Sequence, residues 1–96
     1  MVTKDMDDKQ QTLMDLHALK LLFWNYSDEE LAHLRTNREF NFLWEEHIDD
    51  GYNTYDLLWR LLQEMNIDTQ AFVIEYARSL YRDEIQRWWQ FAQIDR

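Results

Sequence analysis

The stretch NYSDEELAHL, residues 25–34, decides the fold, because it carries two helix-start signals at once. Ser27 and Glu30 stand three apart. At that spacing a serine hydroxyl accepts the backbone N–H of the third helical residue, and the glutamate reaches back to the serine N–H. Tyr26 and Leu31 flank the pair at the positions of a hydrophobic staple. A short helix is expected from here to about Arg35.

Similar joint chemistry recurs on both sides. Downstream, Thr36 and Glu39 in TNRE repeat the spacing and are expected to open a third helix running through Ile48. Phe40, Leu43, Trp44, His47 and Ile48 then fall at i, i+3, i+4, i+7 and i+8, one apolar stripe. Gly51, the single glycine, follows the last apolar residue and is expected in the left-handed conformation that ends a helix. Asn53 caps a fourth helix, with Tyr52 stapled to Leu57. Its expected buried face is Tyr55, Leu58, Trp59, Leu62 and Met65, widened by Leu57 and Leu61. Asn66 suits its stop, and Asp68 the cap of a fifth helix stapled by Ile67 and Phe72, which runs almost to the end of the chain.

Upstream, a first helix is read from about Asp8 to Trp24. Leu13, Leu16, Leu19 and Phe23 make its buried stripe, but Met14, Ala18, Leu21 and Leu22 cover much of the other side. ALKLLFW is thus apolar almost all round, so this helix is either central or has a face for a partner. Along the last helix Ile74, Ala77, Tyr81, Ile85, Trp88 and Ala92 share one face, flanked by Val73, Leu80 and Phe91. Adjacent residues point about 100° apart, which assigns Trp88 to the core and Trp89 to its rim beside Arg78 and Arg82. Trp89 then either seals the core edge under a stacked arginine or anchors a partner. Glu84 falls inside the same arc and needs Arg87 or Arg60 as a partner if buried.

The fold expected from these readings is all-α: one compact domain, residues 1–96, a bundle of about five helices with residues 1–7 as a flexible tail. Composition agrees, with 46% hydrophobic residues, one glycine and no proline, too few turn-formers for a strand-rich fold. The expected core is Leu43, Trp44, Leu58, Trp59, Leu62, Tyr81 and Trp88.

Chemistry is sparse. Ser27 is a cap and Ser79 faces away from the apolar stripe, and no cysteine is present for thiolate or disulfide chemistry. Glu30-x-x-His33 has the spacing of a di-iron ligand pair, but it occurs once and Glu30 serves the capping box. DDGYNTYD fails as a calcium loop, because its glycine comes too early and no glutamate stands at the twelfth position. His47 is expected at the core edge, bonded to a backbone or carboxylate group. No enzyme activity, cofactor or metal is therefore expected. Absence of cysteine fits a cytoplasmic location, and LLFW and AFVI are too short to cross a membrane.

Net charge is −9, and residues 1–56 carry 13 acids against 5 bases. Direct binding to nucleic acid or an anionic membrane is disfavoured, and the third helix would turn Glu39, Glu45 and Glu46 toward DNA phosphates. Binding to protein remains. One reading is a non-enzymatic acidic regulator or inhibitor that associates stoichiometrically with a larger protein bearing a basic surface. A nucleic-acid-handling partner fits, with the acids standing in for phosphates as in phage-type inhibitors. The alternative is a self-associating structural or assembly subunit, a homodimer. Candidate contact residues are Glu45, Glu46, Asp49, Asp50 and Asp56 for steering, with Arg78, Arg82 and Trp89 as anchors.

Overall fold

In the computed structural model, which describes residues 3–94 and the side chains of 9–91, the chain forms six helices. They are α1 (Thr3–Asn25), α2 (Asp28–Leu34), α3 (Arg38–His47), α4 (Thr54–Glu64), α5 (Ile67–Leu80) and α6 (Arg82–Ile94). The all-α expectation holds, and no strand occurs among the described residues. Helix α1 is the central one and packs on α4, α5 and α6. It starts at Thr3, so helix covers the described part of the segment expected to be a tail; Met1 and Val2 lie outside the described residues.

Capping explains most joints. The Ser27–Glu30 box forms in both directions: Glu30 N–H donates to Ser27 Oγ at 3.2 Å and Ser27 N–H to Glu30 Oε1 at 2.9 Å. Asn53 caps α4 by accepting from Asp56 N–H. Gly51 has φ +92°, the left-handed turn expected between α3 and α4.

Two caps differ from expectation. Asn37, not Thr36, caps α3, accepting Phe40 N–H at 3.0 Å, while the Thr36 hydroxyl donates to His33 O at the end of α2. Asn66, not Asp68, caps α5, accepting Thr69 N–H at 3.0 Å. The Thr36–Glu39 box does not form: Glu39 Oε1 accepts Asn66 N–H at 3.0 Å instead. Buried Thr69 also reaches Asn37 Oδ1 at 3.5 Å, so the starts of α3 and α5 are tied together. Ile67 is exposed and staples nothing onto the core.

The core is built from Ala18, Leu19, Leu22 and Phe23 of α1, Leu34 of α2, and Phe40, Leu43 and Trp44 of α3. Leu57, Leu58, Leu61 and Met65 add the α4 region, and Val73, Ala77 and Ile85 add α5 and α6. Each fully buried Leu or Phe contributes about 1.5–3 kcal/mol by leaving water. Leu43, Trp44 and Leu58 are buried as expected, whereas Trp59, Leu62 and Tyr81 only pack half-buried against this cluster. On α4 the buried face is therefore shifted toward Leu57 and Leu61. Ile48 is exposed just past the end of α3.

The largest departure is in the C-terminal third. What periodicity reads as one helix bends at Tyr81 (φ −120°, ψ 29°), although Tyr81 N–H still donates to Ala77 O and Ile85 N–H to Tyr81 O. That bend rephases the apolar arc. Ile85 is buried as expected, but Trp88 comes to rest half-buried, stacked on His17 of α1 with ring centroids 4.3 Å apart. Trp88 is thus not a core residue. Trp89 is half-buried too, its ring tilted against Trp88 at 5.9 Å. Glu84 is exposed and needs no buried partner.

Candidate functional site

Helix α3 sorts its residues cleanly. Burying Phe40, Leu43 and Trp44 turns Phe42, Glu45 and Glu46 outward, and Phe42 is 61% exposed among these acids. Asp49 and Asp50 continue the acidic face beyond the helix, and exposed Ile48 and Tyr52 border it. Glu45 accepts from the Arg35 guanidinium at 3.1 Å, and Arg35 also donates to Asn41 Oδ1. Asp56, in the first turn of α4, accepts from Asn53 Nδ2 at 3.0 Å. Glu46 and Asp49 carry no ion pair or hydrogen bond among the described residues.

His47 sits at the core edge with a carboxylate at each ring nitrogen: Asp50 Oδ2 2.7 Å from Nδ1 and Glu64 Oε1 3.4 Å from Nε2. The Asp50 hydrogen bond raises its pKa above the ordinary value; desolvation opposes this, while the charges of Glu64, Asp50 and Glu46 reinforce it. An imidazole offers N–H groups on both sides only when protonated. When protonated, His47 is a local counter-charge within the acidic corner.

Arg78, Arg82 and Trp89 do not form the expected trio. Arg78 makes a two-pronged ion pair with Asp15 of α1, Nε to Oδ1 at 2.7 Å and Nη2 to Oδ2 at 2.8 Å. Arg82 joins it on the wall of a shallow hollow of about 210 Å³ that also includes Gln11, Met14 and Ile85 but not Trp89. The guanidinium stacked on a ring among the described residues is Arg60, 5.0 Å above Tyr52. These arginines share no contact with the acids of α3.

A second surface lies on α1, the helix whose surplus apolar side left room for a partner face. Leu13 and Leu16, expected in the buried stripe of α1, are 49% and 45% exposed, and Trp24 is 72% exposed. With His17 and Lys20 they form the outward face of α1. Tyr55 and Trp59 of α4 and Trp88 of α6 wall this face into a hollow of about 400 Å³. An adjoining hollow of about 460 Å³ lies beside Trp24 and Asp56, and Tyr55 borders both. Trp24 meets Tyr55 edge to face at 5.1 Å. Burial, reinforced by the Lys20 charge, lowers the His17 pKa below its ordinary value. The sequence signal for this surface was ALKLLFW, apolar on more sides than one core accepts.

The residues of the discounted metal motif have structural work. Glu30 holds the α2 cap, and His33 packs its ring on Tyr76 at 4.1 Å and Phe72 at 5.5 Å. Among the described residues no group of three or more His, Cys, Asp or Glu is arranged to hold a metal. No helix there is long and apolar enough to cross a membrane. Comparison with protein-family models, curated proteins and solved structures finds no match. Fold and surface together define a small all-α domain with two open faces, one acidic around Phe42 and one aromatic along α1.

Proposed function

We propose that this chain is a non-enzymatic acidic regulator or inhibitor that acts by stoichiometric association with a larger protein carrying a basic surface. The observation that carries this reading is Phe42, a large apolar side chain standing exposed on the same face of α3 as Glu45 and Glu46, one turn on. The core does not use it, and an aromatic ringed by charge is how interfaces combine an anchor with a polar rim. The surrounding carboxylates steer a basic partner, raising the association rate more than the final affinity. A nucleic-acid-handling partner fits best, because its phosphate-binding groove supplies the basic surface. Support for a non-catalytic role comes from Ser27, Glu30, His33 and His47, each engaged in capping, stacking or local pairing.

The test is affinity capture from the native cell, with the wild-type chain and Phe42→Ala as baits, followed by association kinetics on the captured partner. Capture by the wild type, at least tenfold weaker binding by Phe42→Ala, and an on-rate that falls as salt rises support the reading. Free nucleic acid should compete for a nucleic-acid-handling partner. A partner bound equally by Phe42→Ala, or at a salt-insensitive rate, overturns it.

A further inference from the structure

We infer that the aromatic face of α1 is the interface for a second copy of this chain, packed by two-fold symmetry with the two α1 helices antiparallel. Shape is the first argument. Trp24 projects as a knob, and the hollow bordered by Leu13, Leu16, Trp59 and Trp88 lies farther back on the same helix face. Residues 13, 16, 17, 20 and 24 fall within about 100° of one another around α1, and Leu13 and Trp24 stand about 16 Å apart along it. A two-fold contact needs a patch complementary to itself. Crossing two α1 helices between His17 and Lys20 sets each Lys20 against the other copy's His17 and lays each Trp24 over the other copy's Leu13–Leu16 hollow, filling both hollows at once.

Charge is the second argument. Two chains of net charge −9 repel, so they meet most easily where acids are missing. Residues 16–27 and 85–94 carry no acid, the two longest such stretches in the chain, and they supply two walls of this face. Lys20 in its middle forms no ion pair among the described residues. Of the eight large apolar residues exposed among the described residues, Leu13, Leu16 and Trp24 fall here. This surface is separate from the Phe42 face and does not depend on the function proposed for it.

Sedimentation equilibrium of the full chain over a range of concentration and salt tests the inference. A dimer is expected whose dissociation constant falls as salt rises, because screening removes repulsion between like-charged copies. Trp24→Ala and Leu16→Glu should weaken it at least tenfold with unchanged circular dichroism, since both side chains are exposed, and Phe42→Ala should leave it intact. A monomer at all concentrations overturns the inference, as does a dimer indifferent to Trp24→Ala and Leu16→Glu. So does a monomeric chain that uses Trp24 to bind a protein of different sequence.

Discussion

Asp15 of α1 and Arg78 of α5, 63 residues apart in the chain, meet in a two-pronged ion pair with both contacts under 3 Å. The pair clamps the two helices together and gives Arg78 a structural partner within the fold. Asp15 is the more sheltered partner, with 18% of its side chain exposed against 44% for Arg78. Solvent screening on the arginine side holds the contribution to about 0.5–1 kcal/mol, the upper part of the range for exposed pairs.

Arg78→Ala should therefore lower stability by about 0.5–1 kcal/mol in urea denaturation. Asp15→Asn should do the same, and the double mutant should lose little more than either single one. Additive losses would mean the pair contributes nothing as a pair.

Cap identity separates two neighbouring residues. Asn37→Ala removes the acceptor for Phe40 N–H and one contact to Thr69, so it should cost about 1–2 kcal/mol, toward the high end for a helix cap. Thr36→Ala loses only an exposed hydroxyl bond to His33 O and should cost about 0.5 kcal/mol or less. The reverse order in thermal unfolding would reinstate Thr36 as the cap.

Burial grades the aromatic residues. Phe40→Ala, at a fully buried position, should cost about 3–5 kcal/mol and leave a cavity between α3 and its neighbours. Trp88→Ala removes a half-buried ring and its stack on His17, for a smaller loss of about 1–2 kcal/mol. Trp89→Ala should fall near Trp88→Ala rather than far below it. Chemical denaturation of the three variants checks the ranking, and a Trp88→Ala loss equal to that of Phe40→Ala would return Trp88 to the core.

Stability should also depend on pH through His47. Its folded pKa is raised above 6.5, so the folded state binds the proton more tightly than the unfolded chain does. The stabilisation is fully present below pH 6.5 and is lost as pH rises through the folded value. His17 has the opposite sign: its lowered pKa favours the folded state above 6.5, and that share is lost as pH falls through its folded value. Replacing His47 with Gln should flatten the alkaline side of the profile. An unchanged alkaline slope in His47→Gln would show that the Asp50–His47–Glu64 arrangement does not form in solution.

Much of the helical layout was legible because its signals are local. Ser27 with Glu30, Asn53 with Asp56, and the positive φ of Gly51 each involve residues no more than three apart. Neighbouring chain atoms make these bonds whatever the rest of the fold does. The α3 stripe of Phe40, Leu43 and Trp44 was readable for a related reason: one face is apolar and the other charged, so the core has a single choice.

Where two local answers were equally good, tertiary contacts chose between them. Thr36 and Asn37 are both able to cap, and Asn37 prevails because Glu39, which would complete the box with Thr36, is drawn to Asn66 27 residues away. Helix α1 is apolar on nearly every side, so only packing against α4, α5 and α6 settles that Leu19 and Leu22 are buried while Leu13, Leu16 and Trp24 face outward. The bend at Tyr81 contains no proline or glycine to announce it, yet beyond it Trp88 lies half-buried against His17 and not in the core. Sequence alone determined the starts of α2 and α4, because hydrogen bonds across three residues dictate them, and the buried stripe of α3, because only one of its faces is apolar. Which side of α1 meets the core, and what Trp88 and Arg78 touch, was decided only when distant helices competed for the same limited interior.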